Sequence, residues 1–333
     1  MVRLEGKESM ELSWSLLGQL AWTGLATSTF YYLFAIAFAL VLKVNQVWNF
    51  GQAAIMVVAY FAMYVAFQWW GMPTAVAIGV GIAVTVAVSL ALEWFGFRVL
   101  RNRRSSVLTY FIFTIAISQF AVYFGELCFG ADPKTLHTSV VSQVFLVGPI
   151  AVSYWDLRAI CIAIALTLAL AAFLRFTKDG QFLSAVADNP ELAQFYGIGL
   201  SRAYSISMTI AALFVVGGMY LAGTRLPMYP ATPLNQFLVL SVIATILAGI
   251  GNVFAAGAAA IVLGLIQTFS ILVISSTWQI LIVYALIFVA ILLFPSGVTL
   301  KRSPRKITRA RPSVSEITIA ATVPGPENKA TSK

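Results

Sequence analysis

The chain has 333 residues, of which 60% are hydrophobic and only 10% charged, with 21 Lys and Arg against 12 Asp and Glu. A mean hydropathy of +0.90 excludes a water-soluble domain, because so few charges cannot cover that much apolar surface. In a bilayer each crossing takes roughly 20 apolar residues, so the length accommodates about eight crossings joined by short loops.

Met1 to Leu20 mixes Arg3, Glu5, Lys7, Glu8 and Glu11 with few apolar residues. No basic stretch leads into an apolar core and a small-residue cleavage site, so residues 1–19 read as a short polar segment and not as a cleaved signal peptide. Apolar runs follow near 20–42, 51–70, 73–97, 107–129, 157–176, 203–223, 236–250, 253–273 and 277–297. The run at 236–250 is short for a span and is parted from the next only by Gly249, Gly251 and Asn252. The expected fold is all-α: a polytopic integral membrane protein with about 8–9 transmembrane helices, some broken or short. Residues 20–300 form its membrane domain. The stretch 301–333 carries Pro304, Pro312, Pro324 and Pro326 with no aromatics, and reads as a disordered basic tail.

Positive charge sets the orientation. Arg98, Arg101, Arg103 and Arg104 follow the third run; Arg175, Lys178 and Arg202 flank the loop after the fifth; Lys301, Arg302, Arg305 and Lys306 follow the last. With nine crossings these loops share one side with Lys43, which places the C-terminus in the cytoplasm and the N-terminus outside.

The interiors of the runs hold almost no ionisable groups. Glu93 lies close to the arginines after its run and can pair with them, and Glu126 lies near the outer end of its own. No Asp, Lys, Arg or His stands mid-span, which argues against coupling to protons or sodium within this chain. There is no GxxxxGK[ST] sequence for nucleotide phosphates. Cys128 and Cys161 lie in apolar runs and read as small packing residues, and the single His137 sits in a polar loop. No metal, cofactor, catalytic cluster or nucleic-acid partner is expected. Energy for active transport would come from a partner.

The connection 175–202, RFTKDGQFLSAVADNPELAQFYGIGLSR, is patterned. Asp188 and Asn189 are N-cap residues, Pro190 suits the first helical position, and Glu191 adds negative charge to the first turn. Leu192, Phe195 and Tyr196 recur at helical spacing and Gly197 supplies the stop. The result is a helix of about two turns, too short to span, lying on the cytoplasmic face with an apolar ridge. An interfacial loop helix and a docking knob for a soluble partner both fit this pattern.

The stretch AVADNPELAQFYGIGLSR resembles the cytoplasmic loop of branched-chain amino acid ABC transporter permeases, the LivH/LivM type. Four further stretches match that family in order: NQVWNFGQAAIMVVAYFAMY, SSVLTYFIFTIAISQFAVYFG, ILAGIGNVFAAGAAAIVLGLIQ and LFPSGVTLKR. The resemblance runs over roughly residues 20–302. It implies an importer's permease in the bacterial inner membrane, working with ATP-binding subunits, a second permease subunit and a periplasmic substrate-binding protein. The helix around Asn189 would then be the coupling helix, with Asp188, Asn189, Pro190, Glu191, Leu192, Phe195 and Gly197 meeting the ATP-binding subunit. Asn49 to Ala54 lack the His and Glu of many LivH-like members and match LivM-like ones better, so either half of the pair is open.

Gly-broken helices mark translocation paths, and two such places occur, Asn45 to Gln52 and Gly249 to Asn252. Asn49, Gln52, Gly249, Gly251 and Asn252, with the mid-span Thr114 and Ser118, are the candidate path. Ala256, Ala260 and Gly264 form a ridge of small residues at four-residue spacing, suited to helix packing. Branched-chain or related small amino acids are the implied cargo, urea or short amides the alternative within the family. A stand-alone channel for a small neutral solute would also lack midplane charge, but leaves the capped helix unexplained. A membrane-embedded enzyme would need a cluster of His, Cys or acidic residues in the spans.

Overall fold

In a computed structural model, the first apolar run lies within one long helix, α1 (Val2–Asn45), on which the rest of the bundle is assembled. The structure describes residues 2–136, 143–249, 251–272 and residue 285, with side chains from Trp14 onward. The expected run at 277–297, His137 and the tail 301–333 lie outside the described residues, apart from residue 285. Residues Phe30, Leu33, Phe34, Ile36, Ala37 and Phe38 of α1 are all fully buried. A helix apolar on every side belongs at the centre of a bundle, and α1 is enclosed along most of its length.

Around it stand α2 (Gln52–Tyr64), extended by a π-helical turn to Trp69, and α3 (Thr74–Ala91), continued by a π-helical segment Leu92–Phe97 into α4 (Arg98–Asn102). Next come α5 (Val107–Phe129), α6 (Tyr154–Phe176), α7 (Lys178–Asp188), α8 (Pro190–Phe195) and α9 (Leu200–Arg225). A π-helical entry Pro233–Leu238 leads into α10 (Val239–Ala248), and α11 (Val253–Phe269) closes the described set. Seven stretches are long and apolar enough to cross a membrane, and Pro233–Ala248 is a shorter eighth. The described residues therefore form the expected polytopic helical fold, with seven helices long enough to cross and one shorter apolar helix beside them. The Gly-broken pair is two helices: Gly249 and Gly251 adopt φ of 81° and 108°, a left-handed turn that glycine enters without strain, and α11 runs back beside α10.

Two elements depart from the expected pattern. Strands β1 (Val144–Val147) and β2 (Ile150–Ser153) pair antiparallel, with Val144 opposite Ser153 and Val147 opposite Ile150. Gly148, at φ 64°, takes the first place of the two-residue turn, so a small hairpin joins an otherwise helical fold. The second is α7, an amphipathic helix within the connection expected to hold only one short helix. Gly180 lets it lie directly on the end of α6, since any side chain there would strike the Phe173 carbonyl and Leu174 Cα. Cys128 and Cys161 are exposed on their helices, turned out of the bundle instead of packing within it.

The charges sort to opposite ends. At one end the Arg101 guanidinium lies 4.3 Å over the Tyr204 ring, and Arg202 pairs with Asp179 at 2.9 Å. At the other, Arg225 pairs with buried Asp156 at 2.9 Å, and that carboxylate also accepts from the Trp22 indole at 3.1 Å. Ser153 and Asp156 form a capping box that fixes the start of α6. Gln19 exchanges two bonds with Ala151, tying α1 to the hairpin at this same end.

Candidate functional site

Between α1 and α2 the chain re-enters the bundle. Asn45 ends α1 at the arginine-rich end, yet the Gln52 side-chain amide donates to the carbonyl of Phe34, 3.0 Å away and well back along α1. Ser118, halfway along α5, donates to the carbonyl of Phe50 at 2.7 Å. Segment 46–51 therefore climbs to mid-depth before α2 begins. From the opposite end, residues 226–232 descend to a second helix start at Pro233, whose segment brings Phe237 to stack on the Phe34 ring at 5.1 Å. Two helix starts thus meet α1 at Phe34 from opposite sides, the arrangement of discontinuous helices that membrane transporters place at their midplane.

The structure brings Asn49, Gln52, Thr114 and Ser118 together around segment 46–51, all 1% exposed or less. Asn49 donates weakly to the Met208 sulfur at 4.0 Å. Thr114 donates to the Phe111 carbonyl one turn back, on the same buried stripe of α5 as Ser118. Among the described residues, Asn45 Nδ2, Asn49 Oδ1 and Gln52 Oε1 are buried without a hydrogen-bond partner. Gly249, Gly251 and Asn252 form a separate feature. Asn252 is exposed and caps α11 by accepting from the Ala255 N–H at 3.4 Å, and among the described residues no hydrogen bond links it to the Asn49 cluster. Ala256 and Ala260 are fully buried against α1, and a side chain at Gly264 would strike Ser28.

At the arginine-rich end, α8 has the local structure its residues dictate. The Asn189 side chain accepts from the Leu192 N–H at 3.0 Å, and Pro190 opens the helix. Gly197, at φ 80°, ends it, its N–H reaching the Gln194 carbonyl at 2.9 Å. Asp188 is the last residue of α7, so Asn189 alone caps α8. Ala193 anchors the helix inward while Leu192, Phe195 and Tyr196 point out, Phe195 with 94% of its surface exposed. Beside them a cavity of about 220 Å³ opens between α7 and α9, rimmed by the Asp179–Arg202 pair and walled by Phe182, Ile198 and Ile206.

One polar face escaped the sequence reasoning. On α5, Gln119, Tyr123 and Glu126 lie on one face at spacings of four and three, turned away from the stripe that packs on α2. Gln119 is exposed at mid-span and makes no side-chain hydrogen bond among the described residues, and Tyr123 is 66% exposed. A lipid-facing glutamine is costly, whereas the same amide bonds well across a helix–helix interface. The signal was present as polar residues recurring at helical spacing within an apolar run.

Comparison with known proteins identifies the family. The family described as "Branched-chain amino acid transport system / permease component" matches residues 20–292. The high-affinity branched-chain amino acid transport system permease protein LivH of Salmonella typhimurium (strain LT2) is 24% identical over 294 residues, covering 84% of this chain and 94% of that protein. LivH of Escherichia coli (strain K12) is 22% identical over the same extent. Among solved structures, PsaBC from Streptococcus pneumoniae in complex with Fab is similar with a TM-score of 0.47 and 13% identity, over 84% of this chain and 93% of that one. With the family matched across residues 20–292, this chain belongs to the permease components of branched-chain amino acid transport systems.

Proposed function

We propose that this permease component works in a bacterial inner membrane as the membrane-spanning subunit of an ABC importer, moving branched-chain or related small amino acids inward. ATP is hydrolysed by partner subunits that dock on α8 from the cytoplasm, and a periplasmic binding protein delivers the cargo. The observation that carries this reading is α8 itself: a capped helix of six residues, seated by Ala193 and presenting Phe195 at 94% exposure. An isolated pore has no use for an exposed aromatic knob at its charged end, whereas a docked subunit buries it.

Other features support the same reading. Among the described residues the buried charges are Glu93 and Asp156, each ion-paired near a bundle end, so no midplane acid or base is offered for ion coupling. The face of Gln119, Tyr123 and Glu126 suits a second permease subunit, and the path runs past the buried Asn49 and Gln52 amides within this chain. With positive charge inside, the arginine-rich end and the C-terminus face the cytoplasm. The test is affinity purification of the chain from native membranes. An ATP-binding subunit copurifying with the wild type and lost from Phe195→Asp is the expected result. Equal recovery with both proteins contradicts docking at α8.

A further inference from the structure

The first two turns of α9 are gripped by side chains from two directions. From the third span, Arg101 stacks over the Tyr204 ring at 4.3 Å, the Trp94 indole donates to the Ser205 hydroxyl at 3.3 Å, and Ser89 donates to the Met208 carbonyl at 3.1 Å. From the end of α1, Asn45 accepts from the Ser207 hydroxyl at 2.9 Å. Arg101 is in turn held by Glu93, whose carboxylate is fully buried in the π-helical segment Leu92–Phe97. Such a segment turns α4 out of register with α3, and π-helical interruptions recur at functional sites.

This grip is incompletely satisfied. Among the described residues, seven buried side-chain atoms lack a hydrogen-bond partner. Glu93 Oε2, Arg101 Nη1, Asn45 Nδ2 and Asn49 Oδ1 are among them, all on residues that touch the base of α9 or hold the side chain that does. The base of α9 also lies between the two parts of the proposed function. Only Gly197, Ile198 and Gly199 separate α8 and Tyr196 from α9. One turn beyond Tyr204, Ser207 and Met208 reach Asn45, which precedes the re-entrant segment, and Asn49 within it.

We propose that Arg101, held by Glu93, is a positioning residue for transport: by clamping the Tyr204 ring it carries movement of α8 into the re-entrant segment 46–51. The clamp rests on the importer reading. Its contact is a planar guanidinium on an aromatic face, which lysine does not reproduce, and the Tyr204 hydroxyl takes no part.

The experiment uses the whole transporter, the chain with its ATP-binding subunits and binding protein, in proteoliposomes, and measures leucine moved per ATP hydrolysed. Tyr204→Leu, which loses the ring, and Arg101→Lys, which keeps the charge beside Glu93, assemble and hydrolyse ATP, but their ratio falls about tenfold. Tyr204→Phe, which keeps the ring, retains the wild-type ratio. A wild-type ratio in Tyr204→Leu overturns the clamp, as does a fall in Tyr204→Phe equal to that in Tyr204→Leu. So does a loss of hydrolysis and transport in proportion, the mark of a merely structural role. A wild-type chain that assembles with no ATP-binding subunit overturns the importer reading, and the clamp with it.

Discussion

The Gln52 amide and the Phe34 carbonyl, 3.0 Å apart, pin the start of α2 to the middle of α1. No side chain caps α2, so this bond anchors segment 46–51 at depth. Gln52→Leu keeps the bulk and removes the donor. The expected loss of stability is about 1–2 kcal/mol, read as a lower melting temperature in detergent. Transport falls further than stability does, because the re-entrant segment loses its anchor. Wild-type transport in this variant would remove Gln52 from the path.

Close packing of α11 on α1 depends on its small residues. A side chain added at Gly264 would bring its first carbon within 2.9 Å of Ser28 Cβ and 3.2 Å of the Tyr31 ring. Gly264→Val is expected to cost about 1–3 kcal/mol through overpacking. Gly79, with nothing within 4 Å among the described residues, is the control: Gly79→Ala leaves the melting temperature near that of the wild type.

Asp156 is a hub at the end of the bundle opposite the arginine-rich end, 4% exposed and accepting from Arg225, Trp22 and the Ser153 N–H. Asp156→Ala strands the Arg225 guanidinium in a half-buried position and is expected to cost about 3–5 kcal/mol. Asp156→Ala with Arg225→Met costs less than the single change, which a comparison of thermal unfolding curves resolves.

Phe195 contributes almost nothing to the isolated fold. Phe195→Asp leaves stability within about 0.5 kcal/mol of wild type, while the ATP-binding subunit no longer copurifies. A large stability loss would mean that Phe195 packs within the chain.

Gln119 is expected to bond across the subunit interface. Gln119→Leu weakens the association of permease subunits in detergent and leaves the melting temperature of the monomer unchanged, since the amide makes no bond within the described chain. Subunit association as strong as wild type would return this face to lipid.

The sequence made the spans legible because a bilayer demands long apolar runs, and α8 legible because Asn189, Pro190 and Gly197 each have one favoured place in a short helix. Depth was not legible. Gln52 and Ser118 reveal mid-bundle re-entry only through bonds to the Phe34 and Phe50 carbonyls, and such long-range contacts leave no periodic trace. The same holds for Asn252, whose amide serves as a local cap and shares no bond with Asn49. Helix α7 was hidden because Thr177, its cap, and Gly180, its close contact, read as loop residues when taken singly. The hairpin was present as apolar β-formers around Gly148 and Pro149 but is shorter than the runs a membrane protein draws attention to.

The central claim is tested most directly by loading proteoliposomes containing this chain and its copurifying partners with ATP, and following labelled leucine from outside. Accumulation above the external concentration, requiring both internal ATP and external binding protein, is the predicted result. Equilibration of leucine without ATP, at a rate that hydrolysis does not change, would contradict it and make the chain a passive pore.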